Sequence, residues 1–242
     1  MSYFESRLPI NIENFKKIQS CLNFCEKLGI KNVIIEPTNH VKEVPLEIKN
    51  AIEKQTKINI FYRLNLKITD ISTFKKEIIN YNNFSDVISV ESLNREVLLH
   101  AAKDSRVGII SFSDPEIIKK LSIGIISLSK QNKSFIEFSL APIMVSDKKI
   151  QSKNLRNLYK YTQLAIKLKA KFIISGNFYN KFDYRHPRAL ISICNALLGI
   201  PLEIAKKAFG LNPRLLLEQI QKQKGNLIDS DINIISGGID HS

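Results

Sequence analysis

Apolar positions along the chain alternate between two patterns. One is the stripe of a helix face; the other is the short continuous run of a buried strand. Strand-like runs fall at Leu8–Ile10, Lys31–Ile35, Ile58–Leu66, Val87–Val90, Val107–Ile110, Phe135–Phe138 and Phe172–Ser175. Helices are predicted between them over 12–28 (closed by Gly29), 46–54, 70–80 (capped by Asp70), 93–103, 114–131 (opened by Asp114-Pro115-Glu116) and 155–168. Three short helices follow, near 187–198, 201–209 and 213–222, and the tail from Gly225 is polar.

Strand and helix therefore alternate, at spacings that allow crossover helices. This is the mark of parallel βαβ units. Seven such units favour a barrel over an open sheet. The expected fold is α/β: an irregular TIM-like barrel of about seven parallel strands with surrounding helices. An eighth strand is not legible, so closure after the seventh is expected to be incomplete. Residues 1–224 are read as one barrel domain and 225–242 as a flexible tail.

The stretch from Lys171 to Pro201 draws the most attention. Its strand ends at Gly176-Asn177, and a loop follows with four aromatics (Phe178, Tyr179, Phe182, Tyr184) and three cations (Lys181, Arg185, Arg188). Pro187 then opens a helix that Gly199 stops. In α/β folds such a loop lies at the carboxyl end of the strand, where function is usually built. Cations at a helix start oppose its dipole, so Arg185 and Arg188 call for an anionic partner or a local carboxylate. Asp183 and Glu203 are the internal candidates for Arg188.

Composition narrows the classes. The chain has 242 residues, 44% hydrophobic, which supports a full core. No apolar run approaches the roughly 18 residues of a membrane span, and no secretory leader is visible in MSYFESRLPI. Three cysteines, an odd number, argue for a reducing compartment, and a cytoplasmic location is expected. Cys21 and Cys25 would share a helix face and are read as small core residues before a metal pair. The net charge of +13 points to a polyanionic partner.

Many of these cations fall where a helix ends and the next strand begins. Lys54 and Lys57, Lys103 and Arg106, and Lys130 and Lys133 are such pairs. In a barrel these junctions lie on the N-terminal face, opposite the 176–188 loop. They could complement helix dipoles, worth about 0.3–1 kcal/mol each, or form a rim that binds phosphates; the sequence leaves both open.

A catalytic constellation is not visible. The histidines, His40, His100, His186 and His241, are dispersed, and only His40 and His186 sit at the functional end. No phosphate-binding loop, dinucleotide fingerprint or nucleophile elbow is present. Glu36, Glu91 and Glu137 sit near strand ends and could line a barrel mouth. Glu137, flanked by Ile136 and Phe138, is expected to be a buried polar residue held by hydrogen bonds.

The segments DVISVES (86–92), RVGIISFSDPE (106–116), SFIEFSLAPIM (134–144) and the run from Phe172 to Gln219 resemble archaeal ribonuclease P protein component 3. That family is related to the eukaryotic 30-kilodalton subunit. Order and spacing match over residues 60–220; Arg106 departs from the acidic residue expected there. The resemblance implies a TIM-like barrel acting as a non-catalytic subunit of the ribonucleoprotein that removes the 5′ leader of precursor tRNA. It implies as partners the ribonuclease P RNA, protein component 2, other subunits and, through the holoenzyme, precursor tRNA. Mg²⁺ is expected for the RNA-based holoenzyme, with no cofactor or metal bound by this chain. The candidate RNA- or partner-binding residues are Lys181, Arg185, Arg188, Phe178, Tyr179, Lys54, Lys57, Lys103, Arg106, Lys130 and Lys133. Two other readings compete. A metal-dependent phosphoesterase of the polymerase-and-histidinol-phosphatase type needs His-x-His after the first strand, where the chain reads Leu8-Pro9-Ile10-Asn11-Ile12. A sugar-phosphate barrel enzyme needs a Gly-rich phosphate loop, and the 176–188 loop has one glycine.

Overall fold

The computed structural model describes residues 2–39, 43–81 and 86–236; the side chains of Lys181 and of residues beyond 223 lie outside it, as do His40 and His241. Seven parallel strands follow one another around a barrel in chain order: β1 (Tyr3–Ile10), β2 (Ile30–Pro37), β3 (Asn59–Lys67), β4 (Val87–Glu91), β5 (Ile109–Phe112), β6 (Phe135–Ser139) and β7 (Phe172–Ser175). Helices α1 (Phe15–Lys27), α2 (Leu46–Glu53), α3 (Ile71–Asn80), α4 (Arg95–Lys103), α5 (Ile123–Gln131) and α6 (Lys148–Lys167) make the crossovers. After β7 come α7 (Pro187–Leu198), α8 (Leu202–Phe209) and α9 (Leu211–Ser236).

Each strand has two apolar faces with different partners. Outward residues such as Ile35, Tyr62, Val90, Ile110, Phe138 and Ile174 join the main core beneath the helices. Inward residues near the strand starts (Phe4, Ile34, Val87, Ile109, Phe135 and Ile173) form a second cluster inside the barrel. Leu216 and Leu217 of α9 complete that cluster, so α9 stoppers the N-terminal end of the barrel. A Cβ added at Gly108, just before β5, would meet the Leu216 side chain at 3.1 Å, which shows how closely α9 approaches.

Six ladders join neighbouring strands, and among the described residues none joins β7 back to β1. The seam is held by a side chain instead. The Glu5 carboxylate of β1 accepts from Gly176 N at 3.0 and 3.2 Å, just past β7. Only glycine fits there: a Cβ at 176 would lie 2.6 Å from Glu5 Oε2.

Several expected boundaries move. Strand β1 begins at Tyr3, five residues before the expected Leu8, because Glu5 and Arg7 are charged yet buried and so broke the apolar pattern. The single helix expected over 114–131 is two pieces. Asp114 Oδ1 does accept from Glu116 N at 2.7 Å and Ile117 N at 3.3 Å, but it opens only a short 3₁₀ turn at Ile118–Lys120. Leu121 is buried in extended conformation, and Ser122 then caps α5. Helix α6 starts seven residues before the expected Leu155, on an Asp147 cap. Helix α9 continues past Gly225 to Ser236, beyond its expected end near 222.

Candidate functional site

The upper half of the barrel interior is ionic. Polar residues recur at period two on β3, where Arg63 and Asn65 alternate with Tyr62, Leu64 and Leu66. Arg63 is fully buried, and its guanidinium grips Glu137 of β6 with two bonds, Nη1 to Oε1 at 2.7 Å and Nη2 to Oε2 at 2.6 Å. Its Nε donates to Ser89 Oγ at 2.8 Å. Above this pair, Arg7 donates through Nη1 to Glu91 Oε1 at 2.6 Å and through Nη2 to Glu36 Oε1 at 2.9 Å. Its Nη1 also lies 3.8 Å from Glu137 Oε2, which links the two clusters. Three carboxylates thus surround two guanidiniums, as charge-assisted, partly two-pronged contacts require in a low-dielectric interior.

The environment sets the protonation of these acids. Burial alone would raise Glu91, but the Arg7 charge and hydrogen bonds from Arg7, Ser113 and Asn65 hold it down at about 2. Burial likewise opposes ionisation of Glu137, and the Arg63 charge with its fork outweighs it and keeps the carboxyl below its ordinary value. Glu5 has no cation of its own. Burial pushes it up to about 7, although N–H groups of Arg7, Gly176 and Asn177 pull back.

These ion pairs tie β1, β2, β3, β4 and β6 together across the barrel interior. Glu36, Glu91 and Glu137, the acids at or near the strand ends inside the barrel, are each spent on an arginine. Among the described residues no group of three or more His, Cys, Asp or Glu is placed to hold a metal ion. Cys21 and Cys25 are buried core thiols, in line with the sequence reading. His186 caps α7, its Nδ1 accepting from Arg188 N at 3.1 Å. The phosphoesterase reading finds no support here: Leu8 and Ile10 pack outward in the core where it needs histidines.

The loop after β7 sits at the carboxyl mouth, as expected. Phe178 is buried, its ring edge-on to Tyr184 with centroids 5.3 Å apart. Tyr184 Oη donates to Phe178 O at 3.0 Å, which pins the loop. Tyr179 and Phe182 carry the exposed rings. The Arg185 guanidinium donates to the carbonyls of Phe182 and of Tyr184, the latter at 2.9 Å, so it is committed to loop geometry. Arg188 is exposed, and among the described residues it pairs with neither Asp183 nor Glu203; Glu203 takes Lys206 instead, at 2.7 Å. The Lys181 backbone belongs to a 3₁₀ turn at Lys181–Asp183.

The junction cations divide. Arg106 closes a fork on Asp104, with Nη2 to Oδ2 at 2.6 Å, and Lys130 Nζ donates to Leu168 O at 2.9 Å at the end of α6. Those two have structural work. Lys54, Lys57, Lys103 and Lys133 are exposed. Lys133 occupies the left-handed position after α5, with φ 60°, as Lys169 does after α6 with φ 54° and Gly29 after α1 with φ 72°. A side chain there costs about 1 kcal/mol. Lys133→Gly is therefore expected to raise the melting temperature by about 2–4 °C. If Lys133 also holds a phosphate, the same variant lowers the salt slope of RNA binding by about one. Thermal melting and a salt titration read the two effects separately, and an unmoved slope removes Lys133 from the RNA surface.

Sequence reasoning found Glu36, Glu91 and Glu137 but missed their arginines. Arg63 was signalled by the polar period of two in β3. Arg7 was hidden because the first strand is expected from the sequence only from Leu8, the residue after it.

Comparison with known proteins agrees with this geometry. The chain superposes on a protein of an archaeal ribonuclease P, from a cryo-EM structure of that enzyme with mature tRNA, with a TM-score of 0.70 and 16% identity. That alignment covers 90% of this chain and 91% of the other. It also superposes on A. niger ochratoxinase at a TM-score of 0.58 and 9% identity, covering 89% of this chain and 71% of that one. At such identities the likeness is one of fold. The sequence itself carries the assignment: residues 4–225 match the family described as RNase P subunit p30, and the chain belongs to that family.

Proposed function

We propose that this chain is a non-catalytic protein subunit of ribonuclease P that supports an RNA subunit in removing the 5′ leader of precursor tRNA. The observation that carries this reading is the family match over residues 4–225. The ion-paired barrel interior supports it, since the acids there serve the fold. The net charge of +13 supports an RNA partner, whose phosphates release condensed counterions on binding.

In this reading the RNA subunit carries the chemistry with Mg²⁺, and the isolated chain is inactive. Its partners are the ribonuclease P RNA, protein component 2 and the other protein subunits, in the cytoplasm. Among the described residues no helix is long and apolar enough to cross a membrane. The test is reconstitution: precursor-tRNA cleavage by the RNA and remaining subunits, with and without this chain, and by the chain alone. Added chain is expected to raise cleavage at limiting Mg²⁺, and the chain alone to give none. Turnover by the chain after removal of RNA would overturn the reading.

Arg188→Ala offers a finer test. Among the described residues the guanidinium has no structural partner, so melting is expected to be unchanged, while holoenzyme cleavage falls several-fold, most at high salt. Arg185→Ala is a poorer probe, because it frees two loop carbonyls. Unchanged cleavage of the Arg188 variant at every salt removes this position from the functional surface.

A further inference from the structure

At the carboxyl mouth, above the ionic layer, the barrel opens into a cleft of about 940 Å³, lined by Lys67, Ile68, Ser113, Ile117, Asn177 and Tyr179 among others. Its size is that of a small-molecule site, typically about 300–1,000 Å³. One polar group in it is unexplained. Asn177 is 6% exposed, and its Oδ1 is buried without a hydrogen-bond partner. A buried acceptor left without a partner costs about 1–3 kcal/mol. The residue sits at φ 51°, in the left-handed region that asparagine tolerates better than most side chains.

We propose that this cleft is a pocket for an unpaired nucleobase of RNA. The charge of the floor argues against a cationic occupant. The acids that line the cleft are already engaged: Glu91 at its base accepts from Arg7, Asn65, Ser111 and Ser113, Glu116 pairs with Lys119 at 2.5 Å, and Asp114 Oδ1 accepts from the N–H groups of Glu116 and Ile117. Beside these acids the cleft offers a buried amide oxygen, apolar walls at Ile68 and Ile117, and an aromatic ring at the rim. Tyr179 is 64% exposed. It lines this cleft and a second one beside it, as does Lys67. Splayed-out bases are recognised by these means: an aromatic face to stack on, and a side-chain amide facing the base edge. Lys67, exposed at the end of β3, is placed for the adjoining phosphate. The inference rests on the ribonuclease P reading for the presence of RNA, and on the cleft for where a base would go.

The experiment uses the full chain and short single-stranded RNA oligomers carrying each base in turn. An abasic oligomer of the same length supplies the phosphates alone. Base-bearing oligomers are expected to bind about tenfold tighter than the abasic one, the scale of one base stacked on an aromatic ring. Tyr179→Ala and Asn177→Gly are expected to abolish that tenfold difference without moving the salt slope. Glycine suits the φ at 177, so that variant keeps the fold; melting curves check it. Equal binding of base-bearing and abasic oligomers, or variants that keep the difference, would overturn the pocket. So would a photoreactive phenylalanine in place of Tyr179 that, in the reconstituted complex, crosslinks only to a protein subunit. Cleavage by the same reconstituted complex reads the subunit role separately, since the pocket can fail while added chain still stimulates cleavage.

Discussion

Arg63→Met is expected to destabilise the fold by about 3–5 kcal/mol, the range seen when one member of a buried ion pair is removed. The methionine fills much of the volume, so the loss is electrostatic. Glu137 stays fully buried, deprived of both bonds that now hold its oxygens at 2.7 and 2.6 Å. Arg7 Nη1, at 3.8 Å, is too far to replace them. For a chain of this length the melting temperature should fall by about 10–15 °C. The pH dependence gives the cause away. In the variant, burial raises the Glu137 pKa above its unfolded value, so the neutral form is favoured on folding. The lost stability should then return as pH falls toward the unfolded pKa and be fully missing near neutrality. Wild type behaves oppositely at this site, because its depressed Glu137 gives stability present above the unfolded pKa and lost on acidification. The double variant Arg63→Met with Glu137→Leu removes both charges. Its loss should be well below that of the single variant, about 1 kcal/mol or less if the replacements pack. Urea denaturation of wild type, both single variants and the double closes the cycle. A double variant as unstable as Arg63→Met would show that packing, not an orphaned carboxylate, sets the effect.

That experiment touches the part of the molecule the sequence disclosed least. The outer layer was legible, because its apolar residues recur at one period per element and each helix is punctuated by a cap or glycine. Asp70, Gly29 and Gly199 fall where the reading put them. The inner layer breaks the rule on which such reading depends. Arg7 and Arg63 are among the largest fully buried side chains, yet as isolated letters they read as surface. Only pairing across the barrel, with acids 29, 74 and 84 residues away, makes their burial tolerable, and no local pattern announces such a distance. The 176–188 loop was legible as a place but not as a set of roles. One chain segment supplies a buried ring (Phe178), an exposed ring (Tyr179), a guanidinium spent on carbonyls (Arg185) and an exposed one (Arg188). Spacing alone cannot separate these.

Glu5 supplies the second large effect, and it concerns the seam. The protein should lose about 2.5 kcal/mol of stability between pH 5 and pH 8 through this one carboxyl. Its pKa is about 7 in the folded chain against an ordinary value of 4.5, and each pKa unit corresponds to about 1.4 kcal/mol. The sign follows from linkage. The folded state holds the proton more tightly than the unfolded chain. The stability this confers is complete below about 4.5 and disappears as pH rises through about 7. Burial is the main cause, with Glu137 adding repulsion, while the N–H groups of Arg7, Gly176 and Asn177 limit the rise. Cys25 and Tyr184 feel the same carboxyl, but both titrate far above this window. The consequence is mechanical as well as energetic. Glu5 is the hydrogen-bonded link from β1 to the chain leaving β7, so an ionised Glu5 places an unpaired charge in the gap where the barrel lacks a ladder. Glu5→Gln cannot titrate. Unfolding free energies of wild type and variant, measured at intervals from pH 5 to pH 8, should therefore diverge by about 2.5 kcal/mol, with the variant nearly flat at this site. Hydrogen exchange at Gly176 should accelerate over the same range in wild type alone, because opening of the seam exposes that amide. Parallel stability curves for the two proteins would mean that Glu5 keeps one protonation state throughout, and that backbone N–H groups, not burial, decide it.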